Sequence, residues 1–127
     1  MKRLLTTTAL VLAMTVGANA VQLGAGPIYS ASGYNGICWY INLGTTNITP
    51  TSQLMYSYAS TTALSTASSC ANGSPVGPGK SCYSYPDGPP FDGLACKVTF
   101  STSAVNVRGS LELEDSSGNV LSQVEMR

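Results

Sequence analysis

No histidine occurs anywhere in the 127 residues. Its absence removes the commonest general base, the usual zinc or copper ligand and every histidine-containing catalytic triad. Charge is scarce as well: six Lys and Arg stand against six Asp and Glu, only 9% of the chain. The cations after residue 20, Lys80, Lys97, Arg108 and Arg127, are scattered along the sequence, so no basic patch can neutralise a nucleic acid backbone. With so few charges, Ser, Thr, Asn, Gly and Tyr must provide the wetted surface, and little repulsion keeps copies apart. Helical periodicity is missing too. After residue 20 no segment repeats apolar residues at i, i+3, i+4 and i+7 for three turns, and the Ala and Ser-rich stretch from Ser57 to Ala71 is the single weak helix candidate.

Residues 1–20 read as a secretory signal peptide. Lys2 and Arg3 precede an apolar run from Leu4 to Val16, and Ala18-Asn19-Ala20 supplies small residues for cleavage after Ala20. The run is short and rich in threonine for a membrane span, and nothing later approaches the ~20 apolar residues a spanning helix needs. The expected mature chain, residues 21–127, is the size of one domain. The sequence therefore implies secretion to an extracellular or periplasmic space, without a membrane span.

Four cysteines follow that leader, Cys38, Cys70, Cys82 and Cys96. An even number in an exported chain argues for two disulfides. Three connectivities exist; the preferred one joins Cys70 to Cys82 as a local staple and Cys38 to Cys96 across a core. A four-cysteine zinc site is the competing reading, but no close CxxC pair is present.

The stretch Gly36 to Gly44 reads as the central strand, with Ile37, Trp39, Ile41 and Leu43 on one face and Cys38 and Tyr40 on the other. The lone Trp39 is expected to pack near the Cys38 to Cys96 bond. Before it, Val21 to Asn35 forms a leading arm with at most one short edge strand. After it, Gly44 to Asn47 is a turn signal, Pro50 marks an edge or break, and Ser52 to Ala59 alternates as another strand. Ser60 to Pro90 is Ser, Gly and Pro-rich and reads as a long disulfide-stapled loop, with one short strand near Ser81 to Tyr85. Leu94 to Thr102 is a further strand, and Gly109 marks a bulge or bend in the next. Asp115 to Asn119 is a hairpin turn, and Val120, Val124 and Met126 form the inward row of the last strand. Short strands with turns between them predict an all-β, antiparallel, immunoglobulin-like sandwich.

Few groups could carry chemistry. A glycosidase-type acid pair would have to come from Asp87, Asp92, Glu112 and Glu114. Glu112 and Glu114 alternate with Leu111 and Leu113 as solvated strand residues do, and the two aspartates sit in turn sequences. Asp87 to Gly93 could surround a calcium ion, but its spacing departs from the EF-hand pattern. No catalytic residue, metal or cofactor is expected. Asn47-Ile48-Thr49 and Asn72-Gly73-Ser74 match the glycosylation pattern. The tyrosine pairs Tyr56 with Tyr58 and Tyr83 with Tyr85 stand at i, i+2 and would share a strand face, a layout suited to stacking on sugar rings. The leading expectation is a secreted, non-enzymatic structural or interaction module of a surface, matrix or fibre, with a second copy as its partner. Carbohydrate binding through the tyrosines, to an extracellular polysaccharide, ranks second, and an unassigned enzyme third.

Overall fold

The computed structural model describes residues 20–29, 35–57, 60–87 and 93–127. Eight strands run in chain order: β1 (Val21–Tyr29), β2 (Asn35–Asn42), β3 (Pro50–Ser57), β4 (Thr66–Ser68), β5 (Ser81–Pro86), β6 (Gly93–Phe100), β7 (Val107–Glu114) and β8 (Val120–Glu125). They form two antiparallel sheets, β1-β6-β3 and β4-β5-β2-β7-β8, with no helix among the described residues. The fold is all-β, as the alternation implied, and among the described residues no helix is long and apolar enough to cross a membrane.

The Gly36 to Asn42 stretch is the middle strand of the five, and β6 is the middle strand of the three. Cys38 and Cys96 bond these two middle strands through the core, with Cα atoms 6.1 Å apart. Around that bond, Tyr40 meets Phe100 edge to face at 5.2 Å, and Met55, Leu94, Val98 and Leu111 fill the space between the sheets. Burying each such side chain contributes roughly 1.5–3 kcal/mol relative to exposure.

Alternation then fixes the other face of β2. Because Cys38 and Tyr40 point inward, Trp39 points outward, half-buried, and does not pack on the disulfide as expected. Leu43 lies beyond the strand end and is exposed. In β3 the inward residues are Gln53 and Met55, which leaves Leu54 and Tyr56 on the outer face. Gly109 makes no bulge: it pairs opposite Tyr40 in unbroken register. A Cβ there would collide with the Trp39 carbonyl oxygen, so glycine is required by the close approach of β2 and β7.

The Ser and Gly-rich stretch read as a loop holds β4, β5 and a bridge between Ile48 and Val76. Two buried polar side chains organise it. Asn42 donates from Nδ2 to the carbonyls of Thr46 (2.8 Å) and Val76 (2.9 Å), and its Oδ1 accepts from the Gly44 amide. Gln53 donates from Nε2 to the Cys70 carbonyl (2.8 Å) and the Asn72 side chain, while Ser68 and Ser84 hydroxyls donate to its Oε1. The Cys70–Cys82 bond closes the same region, with Cα atoms 5.7 Å apart.

Three strands cannot cover five, and the outermost suffers. Every residue of β8 is exposed, so Val120 and Val124 form no inward row; of the three residues expected there, Met126 alone is buried. The Asp115 to Asn119 hairpin forms as expected. The Asp115 carboxylate accepts from the Ser117 and Asn119 amides, and Gly118 takes φ 81°.

Candidate functional site

β5 reads Ser81-Cys82-Tyr83-Ser84-Tyr85-Pro86, and its inward residues are Cys82 and Ser84. The disulfide to Cys70 pins Cys82 to the inside. Tyr83 and Tyr85 are thereby turned to the outer face of the five-stranded sheet, where they are 50% and 44% exposed. Their rings are close to parallel, 21° between planes, with centroids 6.3 Å apart. The strand is held on its β4 side by Ser69, whose amide donates to the Tyr83 carbonyl and whose hydroxyl accepts from the Tyr83 amide.

Register assembles a patch around these rings. Tyr83 stands opposite Trp39, and Trp39 stands opposite Ser110 on β7. Ile37 pairs with Glu112, and Glu112 with Gln123 of β8. On the other side, Tyr85 pairs with the small Ala67 of β4. The indole is fixed: Trp39 Nε1 donates to Glu112 Oε1, and the buried Ser110 hydroxyl donates to the same oxygen at 2.8 Å. The result is a row of three aromatic side chains on one sheet face, ending on an anchored carboxylate.

The other expected site residues separate. Tyr56 lies half-buried on the outer face of the three-stranded sheet, opposite Ala95, and so belongs to a different surface from Tyr83 and Tyr85. Tyr58 falls outside the described residues. Asp87 is exposed and accepts from the Ser65 hydroxyl at 3.0 Å. Residues 88–92 of the candidate calcium loop are outside the described residues, as are residues 1–19 of the expected leader. Among the described residues no three His, Cys, Asp or Glu side chains group as a metal site needs, and no free cysteine occurs. Both disulfides are compatible with an oxidising extracellular or periplasmic location.

Trp39 is the member of the patch that sequence reasoning placed wrongly, and Glu112 the one it set aside as ordinary surface. The signal for Trp39 was available: a cysteine bonded across the core at position 38 turns its neighbour outward.

A second surface lies at the sheet edge. Val120, Leu121 and Val124 of β8 are each at least 38% exposed. Beyond β8 the chain crosses to the other sheet, where the amide and carbonyl of Arg127 bond those of Gly24 on β1. Gly24, Ala25, Gly26, Val124, Glu125 and Arg127 line a cleft of about 400 Å³ beside that junction. Comparisons with protein-family models, curated proteins and solved structures found no match.

Proposed function

We propose that the protein is an exported, non-catalytic interaction module that associates with further copies of itself by strand pairing along β8, as a component of a surface layer, matrix or fibre. The observation that carries this reading is the state of the four sheet edges. β1 contains Pro27 and a register shift, β3 begins at Pro50 with another shift, and β4 is three residues long. Such features blunt an edge against pairing. β8 has neither proline nor lysine, runs six residues, and adds three exposed apolar side chains to an outer edge that no strand pairs among the described residues. An antiparallel edge of this kind supplies hydrogen-bonding groups in the spacing a second strand requires.

The occupant is a second copy, since residues 21–127, with four cations against six carboxylates, carry little net charge to oppose their own association. Six residues extend about 20 Å, which buries less than the ~1,000 Å² of a stable dimer, so the association is weak and concentration-dependent. Repetition in an array compensates for weak single contacts. The lack of histidine, the bonded cysteines and the engagement of Glu112 support the absence of catalysis. The core disulfide between middle strands supports an immunoglobulin-like sandwich, from which the outward Trp39 departs.

Sedimentation or light scattering over a wide concentration range tests the proposal. Association is expected for the native mature chain and is expected to vanish in Leu121→Lys plus Val124→Lys, with circular dichroism unchanged because both side chains are exposed. A native chain that stays monomeric to millimolar concentration refutes it.

A further inference from the structure

We infer that the row Tyr85, Tyr83 and Trp39 is a binding site for the pyranose rings of a neutral polysaccharide, separate from the β8 edge. Aromatic rings have an electron-rich face, and the C–H groups on one side of a sugar ring present the complementary positive surface. Two such rings stand stacked here, nearly parallel and about half exposed, on a rigid strand and not on a loop, so each has one face turned away from the other. A stacked sugar covers exposed ring surface while its own hydroxyls remain wet.

Charge narrows the ligand. The ionisable groups nearest the rings in register are Glu112 and Arg108, on either side of Ser110 opposite Trp39, and the exposed Asp87, two residues beyond Tyr85. Arg108, placed on this face opposite Ile41, turns its Nη1 to the carbonyls of Val105 and Val107. A sulfated or phosphorylated polymer would meet the carboxylates of Glu112 and Asp87 here, while the Arg108 guanidinium is turned to backbone carbonyls. Hydroxyl groups, by contrast, find an acceptor in Glu112. Its Oε1 is committed to Trp39 and Ser110, and its Oε2 accepts no bond among the described residues. Glu112 is thus a positioning residue for the indole and an acceptor at the end of the row.

Trp39 is the only tryptophan in the chain, so its emission reports the site without labelling. The experiment titrates the oxidised mature protein with cellohexaose, chitohexaose and mannohexaose, using dextran sulfate as the anionic probe, and confirms any response by calorimetry. Saturable binding of at least one neutral hexasaccharide is expected. Tyr83→Ala with Tyr85→Ala is expected to weaken it about ten-fold or more, since each ring contributes a few-fold to ten-fold in affinity. Tyr83→Phe with Tyr85→Phe keeps both faces and is expected to stay within about three-fold. Intact disulfides and an unchanged circular dichroism spectrum verify that the variants fold. No binding of any neutral probe, undiminished binding by the double-alanine variant, or preference for dextran sulfate overturns the inference.

Discussion

The two disulfides close loops of very different length, and this difference sets an order of stability that can be measured. Cys38 and Cys96 are 58 residues apart, Cys70 and Cys82 only 12. The chain-entropy relation gives about 4.2 kcal/mol for the longer loop and about 2.8 kcal/mol for the shorter, a gap of about 1.4 kcal/mol. Packing acts in the same direction. Cys38 and Cys96 are both buried at the centre of the core, whereas Cys70 is half-buried at its margin. Cys38→Ala with Cys96→Ala is therefore expected to be the more damaging pair, removing a large part of a total stability of about 5–15 kcal/mol. Urea unfolding of both double variants, followed by far-ultraviolet circular dichroism, should separate their midpoints by roughly 1 M. Equal midpoints, or a lower midpoint for the Cys70→Ala with Cys82→Ala pair, would refute the reasoning. The short staple would then do more for the native state than its loop length allows.

Four further outcomes are expected from buried groups. Tyr40→Phe should stabilise the protein by about 1–2 kcal/mol, because the buried hydroxyl has no hydrogen-bond partner among the described residues; a lower thermal midpoint would contradict this. Burial pushes the Tyr40 phenol up to about 12, above the ordinary value near 10, so the unfolded chain ionises first. Stability should therefore be insensitive to this group below about pH 10 and fall as pH climbs toward 12, and the Phe variant should lack that share of the alkaline loss. Gly109→Ala should cost about 3 kcal/mol, read from urea midpoints, because its Cβ meets backbone at Trp39 and lies 2.8 Å from the Met126 sulfur. Asn42→Ala should cost about 2 kcal/mol or more and speed amide exchange around Val76, since two carbonyls lose their donor.

What the sequence made legible was whatever one short stretch could specify. The hairpin after β7 is written in Asp115, Gly118 and Asn119, each doing what its chemistry favours in a turn. The sequence left three disulfide connectivities open, and the structure has the one preferred as a local staple plus a bond across the core. Trp39 was misplaced because apolar residues at one parity were taken as the inward set. Its neighbour's bond across the core outranks that count, since only one face of a strand can reach Cys96. Order in 60–87 was hidden for another reason. It depends on Asn42 and Gln53, distant in sequence from the backbone groups they satisfy, and composition alone carries no trace of such bonds. The exposure of β8 was equally invisible, because it follows from how many strands the opposing sheet has. Of the candidate site, the Tyr83 and Tyr85 pair was readable from spacing, while the Glu112 anchor arises only when β2 and β7 come into register.

The five-stranded order places the aromatic row two to three strands from the free margin. Two chains joined along β8 about an axis normal to the sheet would keep like faces on the same side. Both rows would then look in one direction across a continuous ten-stranded surface. A long polymer could be gripped at both ends of that surface, so a contact too weak to hold one chain could still fasten a pair.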